Sequence, residues 1–163
     1  MGASRPETLH GRTAHVVHIR IMDSHTEGRE MKVSRSTQYA LLAIGYVAKN
    51  QGDGLVRSED IAKQYEIPLE YLLKILQQLV RAKVLRSKRG PQGGFWLAKP
   101  TNKISMLEIV EAVDGELTGE LNLAKQARKE KYGTKAQQTY DKAISGARSV
   151  LQRAKLSNLL GGK

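Results

Sequence analysis

Cysteine is absent from this chain of 163 residues. Its absence excludes disulfide bonds, cysteine nucleophiles, and zinc or iron–sulfur centres held by thiolates. Apolar runs of membrane-spanning length are also missing, so we expect a cytoplasmic protein with no membrane partner. Acidic residues are few: 16 Asp and Glu stand against 27 Lys and Arg, which gives a formal net charge of +11 at pH 7. This charge favours a polyanionic partner, although charge alone does not separate DNA, RNA and an anionic membrane.

Histidine is scarce and unevenly distributed, because all four histidines lie within the first thirty residues. His15 and His18 have the weak i, i+3 spacing and no fixed carboxylate beside them, which argues against a metal site. Ser87 has no histidine near it in sequence, and Glu108 and Glu111 are interpreted as a helix cap and a solvated face. The sequence therefore predicts no enzyme, no metal ion and no cofactor.

Residues 58–83 have the pattern of two helices joined by a tight turn. Ser58 is the predicted N-cap of the first helix, and the segment 66–68 ends it. Pro68 suits the start of the second helix, where its missing N–H is not needed. The second helix is predicted from Leu69 to Lys83, and its buried face consists of Leu72, Ile75, Leu76, Leu79 and Val80. Polar residues fall on the other face, as in a helix that reads the major groove.

A basic, glycine-rich turn follows, with the sequence SKRGPQGGF at residues 87–95. Three glycines and a proline between two apolar segments predict a β-hairpin, with Lys88 and Arg89 at its projecting tip. Taken alone, this segment is also compatible with an ordinary basic surface hairpin. Because a helix pair precedes it in the right order and spacing, we interpret it as the wing of a winged helix-turn-helix domain.

From Met31 to about Leu117 the sequence resembles the IscR/NsrR/CymR family of bacterial winged-helix transcription regulators, the Rrf2 family. The matching segments are 31–34 (MKVS), 60–62 (DIA), 67–72 (IPLEYL), 89–95 (RGPQGGF) and 109–115 (IVEAVDG). The resemblance implies a mainly α-helical fold with a small β-hairpin. It also implies a homodimer that binds a palindromic operator in double-stranded DNA and acts as a repressor.

The predicted DNA contacts come from the second helix, the wing and one residue before the first helix. Glu70, Tyr71 and Lys74 are expected nearest the base edges or phosphates, and Arg89 is expected to enter or follow the minor groove. The full predicted set is Arg57, Pro68, Glu70, Tyr71, Lys74, Arg86, Lys88, Arg89, Gly90 and Gln92.

Many members of the resembling family hold an iron–sulfur cluster with three cysteines in the segment after the position of Asp114-Gly115. Here residues 122–132 read NLAKQARKEKY, with neither a thiolate nor a histidine. The sequence therefore indicates a cluster-free branch of the family. Some cluster-free relatives work through a protein partner, so such a partner stays a possible alternative.

The C-terminal region is predicted to be a long helix. Ser105 and Glu108 form one predicted capping box, and Thr134 and Gln137 form a second one that opens this helix. Its apolar seam, spaced +4, +3, +4 and +3, consists of Tyr140, Ile144, Ala147, Leu151 and Ala154. A contact within the chain and a contact with a second subunit both explain such a seam; we favour the second, because a small domain has little surface left to cover it.

Four segments follow from these patterns: an N-terminal extension (1–30), a DNA-binding domain (31–117), a basic linker (118–133) and a dimerisation helix with its tail (134–163). We expect residues 1–30 to be disordered or untranslated, with Met31 as the start. The first core helix is predicted from Ser34 to Lys49, with an inward face of Tyr39, Leu42, Ala43, Tyr46 and Val47.

Two other functions stay open: a protein-interaction module, and a basic protein that binds RNA or DNA without sequence preference.

Overall fold

The computed structural model describes residues 34–118, 121–127 and 130–161, so the predictions for the extension and for Met31 lie outside the described residues. Within these ranges the chain forms seven α-helices and one antiparallel pair of strands. The elements are α1 (Arg35–Asn50), α2 (Ser58–Tyr65), α3 (Leu69–Arg81), β1 (Leu85–Lys88), β2 (Gly94–Leu97), α4 (Met106–Asp114), α5 (Leu123–Gln126), α6 (Lys131–Arg153) and α7 (Leu156–Leu159). The predicted mainly helical architecture with one small hairpin is confirmed.

The core lies between α1, α2, α3, α4 and the inner face of the hairpin. Ile44, Ile61, Leu76, Leu85 and Ile109 are fully or almost fully buried there. Burial of such side chains contributes about 1.5–3 kcal/mol each and fixes the position of α3 against the other helices. None of the helices in the described ranges is both long enough and apolar enough to cross a bilayer.

Helix α1 begins after Ser34, whose side-chain oxygen accepts a hydrogen bond from the Thr37 N–H at 3.0 Å. The prediction that Leu42 faces inward is wrong, because its side chain is 40% exposed. Residues 39–44 are all apolar, so the local pattern does not define a single face. The buried positions are instead Thr37, Ala40, Ala43, Ile44 and Val47.

The helix pair differs from its predicted limits by one or two residues. Helix α2 starts at Ser58 itself, and Arg57 occupies the N-cap position. Glu66 ends α2 in the left-handed conformation, with φ of 53°. Pro68 lies at the N-cap of α3, and α3 stops at Arg81 rather than Lys83, because Lys83 also adopts a left-handed φ, of 58°.

The first predicted capping box is confirmed at the start of α4. The Glu108 N–H donates to the Ser105 hydroxyl at 3.3 Å, and the Ser105 N–H donates to the Glu108 carboxylate at 2.9 Å. Lys99 forms an ion pair with the same carboxylate. Burial raises the pKa of Glu108, but the hydrogen bonds from Lys99 and Ser105 outweigh this effect, so its pKa lies below the usual value.

The second predicted capping box, at Thr134, is wrong. Helix α6 already begins at Lys131, and the Thr134 hydroxyl donates to the Glu130 carbonyl at 3.2 Å, one turn back. The Gln137 side chain accepts a hydrogen bond from the Leu123 N–H at 3.1 Å. Contact with α5 therefore extends the helix beyond the limit that the local sequence signal predicts.

The C-terminal tail returns to the core beside α4. The Met106 N–H donates to the Ala154 carbonyl at 2.8 Å, and the Leu156 N–H donates to the Ile104 carbonyl at 2.9 Å. The Leu156 side chain is buried in the core. Ala154, the last residue of the predicted seam, consequently lies at the C-cap of α6 rather than within the helix.

Candidate nucleic-acid interface

The wing is a regular hairpin whose strands pair from Leu85 opposite Leu97 to Lys88 opposite Gly94. Arg89 to Gly93 form its tip, where Gly90 adopts a φ of 110° that favours glycine. A short backbone bridge joins β2 to Val56: the Phe95 N–H donates to the Val56 carbonyl at 2.8 Å, and the Val56 N–H donates to the Phe95 carbonyl at 3.0 Å. Strand β2 is thereby hydrogen-bonded on both edges, to β1 on one side and to Val56 on the other, and the tip projects from this paired region.

Helix α3 presents a polar face to solvent near its N-terminus. Glu70 and Lys74 are exposed, and Pro68 precedes them on the surface. Tyr71 is 37% exposed; its ring packs edge-on against Tyr39 at 5.8 Å between ring centres. The predicted contact residues on α3 therefore share one accessible surface, with Tyr71 held in place by α1.

A cleft of about 410 Å³ separates α3 from the wing. It is lined by Leu73, Gln77, Val80 and Arg81 from the helix, and by Ser87, Lys88, Arg89 and Phe95 from the wing. The structure thus brings Lys88 and Arg89 opposite α3; Arg89 lies at the tip, whereas Lys88, which the sequence predicts there as well, ends β1. Three cationic side chains surround this concave surface, which concentrates positive potential there.

Gln77 and Arg81 do not belong to the predicted set of DNA-binding residues, although both line this cleft. Counted from Glu70, Lys74 lies at i+4, Gln77 at i+7 and Arg81 at i+11, which is the spacing of one helical face. Extending the polar face of α3 along the whole helix would have identified both residues.

Arg86 and Arg57 lie outside the cleft. Arg86 pairs with Trp96 across the hairpin, and it lines a separate surface depression together with Lys83 and Lys99. The Arg57 Nε is 3.6 Å from the Glu59 carboxylate, in an exposed pair whose attraction is weak. Gly90 and Gln92 are exposed at the wing tip.

The fold and this surface define a winged helix-turn-helix protein of the kind that regulates transcription. The profile of the Rrf2 family, described as an iron-dependent transcriptional regulator, matches residues 33–161. The chain therefore belongs to the Rrf2 family, and it is a DNA-binding transcription regulator rather than an enzyme.

Curated relatives carry names that agree with this assignment. An HTH-type transcriptional regulator of Mycobacterium tuberculosis is 29% identical over 81% of this chain and 83% of its own length. One from Aquifex aeolicus is 43% identical over 50% of this chain, and the regulator IscR of Cereibacter sphaeroides is 37% identical over 52% of this chain. The chain spans only 56% of the length of each of the latter two.

Solved structures share the fold over most of the chain. CymR, the global cysteine regulator of B. subtilis, superposes with a TM-score of 0.66 at 22% identity, covering 81% of this chain and 98% of CymR. CymR of Staphylococcus aureus in its oxidized form superposes with a TM-score of 0.64 at 26% identity, covering 80% of this chain and 96% of that protein. The T. potens IscR superposes with a TM-score of 0.60 at 25% identity, covering 80% of this chain and 87% of IscR.

Iron chemistry of the kind that the family description names does not fit the donor set of the residues that the structure describes. The chain has no cysteine, and residues 31–163 contain no histidine. The described part of the chain also holds no group of three His, Asp or Glu side chains that could share a metal ion. Instead, α5 packs on α6 so closely that a Cβ at Gly133 would lie 2.4 Å from that of Ala127.

Proposed function

We propose that two copies of this chain bind a two-fold symmetric operator and repress transcription without an iron–sulfur cluster. The cleft between α3 and the wing is the observation that carries this proposal. An α-helix fits into the major groove of DNA, and here the adjacent hairpin places cations beside such a helix. Phosphate contacts from such cations fix the register of a protein on the duplex, and contacts to base edges supply the sequence preference.

Within this surface, α3 is the element that enters the major groove. Glu70, Tyr71 and Lys74 project from its first turns, and Gln77 and Arg81 extend the same face toward the wing. Gln and Lys side chains match the hydrogen-bonding edges of adenine and guanine respectively. Arg89 approaches the minor groove from the wing tip, whereas Lys88 holds a phosphate.

A dimer is supported by the surface of α6. This helix has 23 residues and a length of about 34 Å, yet Gly133 is its one buried residue. The predicted seam is half-buried within a single chain. Beside it runs an exposed stripe with helical spacing, which we define as Tyr132, Ala143, Gly146 and Val150; Tyr132 is 80% exposed and Val150 is 58% exposed. We assign the seam and this stripe to the contact with the second subunit.

Operator binding is tested by selecting bound sequences from random duplex DNA with the purified full chain. We expect a two-fold symmetric motif with half-sites about one helical turn apart. Lys74→Ala should then cost about 1–3 kcal/mol of discrimination at one base pair in each half-site. Enrichment of no motif, together with salt-sensitive binding of RNA and DNA alike, would favour a non-specific basic protein instead.

The dimer is tested by changing α6 and measuring mass in solution by sedimentation. Val150→Glu and Ala147→Glu each place a charge in the proposed contact, and we expect the dimer dissociation constant to rise at least about tenfold, because an unpaired charge is costly to bury. Ser145→Glu adds the same charge at an exposed position on the opposite side of α6 and should leave the dimer intact. A wild-type monomer at micromolar concentration would refute the dimer, and with it the palindromic operator.

A further inference from the structure

Asp114 joins two helices that are far apart in sequence. It is the last residue of α4, and its carboxylate lies at the N-terminus of α1. The Ser34 hydroxyl donates to it at 2.5 Å, the Thr37 hydroxyl at 2.6 Å, and the Ser34 N–H at 3.4 Å. One side chain therefore accepts three hydrogen bonds from the start of α1.

These hydrogen bonds fix the beginning of α1 against the end of α4. Thr37 is fully buried, so its hydroxyl needs a partner inside the protein. Helix α1 also has no acidic residue in its first turn, and Asp114 supplies the negative charge that favours a helix N-terminus. Removing this carboxylate would free the first turn of α1 and leave a buried hydroxyl without its acceptor.

The same turn of α1 contacts the recognition helix. The Ser36 hydroxyl forms a hydrogen bond with the Tyr71 hydroxyl, and the Tyr39 ring packs edge-on against the Tyr71 ring with an interplanar angle of 81°. Tyr71 lies in the first turn of α3, the part of a recognition helix that approaches base edges. The first turn of α1 thus lies between Asp114 and the DNA-facing end of α3.

We propose that Asp114 is a positioning residue for operator recognition: it holds the first turn of α1, which in turn holds Tyr71 and the N-terminal end of α3. This inference rests on the proposed function. It assigns no DNA contact to Asp114 itself. It assigns to α4 a second role besides packing, because a shift of its C-terminal end moves the helix that reads the bases.

Helix α4 is also tied to the long helix. Arg148 of α6 forms an ion pair with Glu111 of α4 and donates a hydrogen bond to the Leu117 carbonyl at 2.9 Å. The Leu117 N–H donates to the Glu111 carboxylate at 3.0 Å. Polar interactions consequently run from α6 through α4 and α1 to α3, and Asp114 is the residue through which α4 reaches α1.

A double-mutant cycle on the full-length protein tests this assignment, with Asp114→Ala, Tyr71→Phe and the double variant titrated against the selected operator and a scrambled duplex. We expect Asp114→Ala to weaken operator binding about five- to tenfold and to leave scrambled-duplex binding unchanged. Tyr71→Phe should have a smaller effect in the Asp114→Ala background than in the wild type. Glu116→Gln removes an exposed charge 3.9 Å from Arg148 but none of the hydrogen bonds to α1, and it should bind like the wild type.

Additive effects of the two substitutions would overturn the inference, and so would an unchanged operator affinity of Asp114→Ala. If Asp114→Ala is too unstable to assay, Asp114→Asn, which retains one acceptor oxygen, replaces it in the same cycle. Failure of the proposed function looks different, because the wild type itself would then bind the operator and the scrambled duplex equally.

Discussion

Lys88 and Arg89 are neighbours in sequence that differ in how the hairpin holds them. Lys88 is the last residue of β1 and pairs with Gly94, whereas Arg89 is the first residue of the tip. Both line the cleft that faces α3. The ammonium group of Lys88 extends from a paired strand and is suited to bind one DNA phosphate. The guanidinium of Arg89 extends from the tip and is suited to enter a DNA groove.

Alanine substitutions should separate these two roles. Arg89→Ala should weaken operator binding and flatten the preference for an A·T-rich, narrow minor groove flanking each half-site. Lys88→Ala should weaken operator and non-specific binding alike, and should reduce the slope of log K against log salt by about 0.9 for each phosphate that the protein no longer neutralises. Fluorescence anisotropy over a salt series measures both quantities. Equal shifts by both variants across random sequences would contradict sequence-specific reading by the wing.

Glu108 makes stability depend on pH through its lowered pKa. A carboxylate whose pKa is lower in the folded than in the unfolded state stabilises the fold above its usual pKa, and this contribution disappears as the pH falls through the folded value. Glu108→Gln retains a capping side chain at the third helical position (N3), but this side chain does not titrate. The free energy of unfolding of the variant should therefore change less between pH 6 and pH 3 than that of the wild type.

Glu108→Ala also removes the acceptor of the Ser105 N–H and should cost about 0.5–1.5 kcal/mol at neutral pH, while the Ser105 hydroxyl still caps the helix. Urea unfolding across that pH range measures both effects. Parallel stability curves for the wild type and Glu108→Gln would show that the carboxylate does not contribute to the pH dependence.

At the level of elements, the wing depends on close backbone approach at its base. A Cβ at Gly94 would lie 2.7 Å from the Val56 carbonyl oxygen and 3.0 Å from the Leu55 Cβ. Gly94→Ala should therefore push β2 away from Val56, destabilise the fold by about 1–3 kcal/mol and weaken operator binding. Gly45, in the middle of α1, has nothing within 4 Å of such a Cβ.

Gly45→Ala is the matched control for this substitution. It should stabilise the protein by about 0.5–1 kcal/mol, since alanine is the better helix former. Thermal unfolding of both variants, combined with operator titration, checks the pair. Equal stability of Gly94→Ala and the wild type would show that the wing tolerates a wider base.

Elements with strong local signals can be predicted well from the sequence. The wing follows from its glycines and basic tip, and α4 from a capping box that the structure confirms. The start of α6 cannot be predicted in this way, because its limit depends on packing against α5, which no local pattern records. The inward orientation predicted for Leu42 is wrong because an uninterrupted apolar run has no periodicity from which to choose a face.

The candidate site likewise has a part that the sequence predicts and a part that depends on how the elements pack. Exposed positions on α3 follow from helical spacing, but the cleft formed by α3 and the wing depends on their relative placement. Helical spacing places Gln77 and Arg81 on the polar face of α3, but only the structure shows that this face lies opposite Lys88 and Arg89. The link from Asp114 to Tyr71 also requires the structure, since residues 34 and 114 are 80 positions apart.

At the scale of the whole molecule, the protein is expected to work without iron. Protein purified anaerobically should be colourless and contain neither iron nor acid-labile sulfide, because the chain has no cysteine. Absorption spectra and metal analysis check this expectation. A stoichiometric cluster with a visible charge-transfer band would contradict it and would require ligands from other side chains or from a second protein.

The return of the tail to the core has a consequence for how the protein is made. Leu156 and the backbone bonds to Ile104 and Met106 complete the packing around α4, and they join segments about fifty positions apart. Interactions of such long range form late, after the intervening chain is available. A nascent chain can therefore complete its DNA-binding half only after the whole of α6 has been synthesised. The order of synthesis therefore places the proposed dimerisation helix before the last residue of the core, so α6 is already present in any chain whose core is complete.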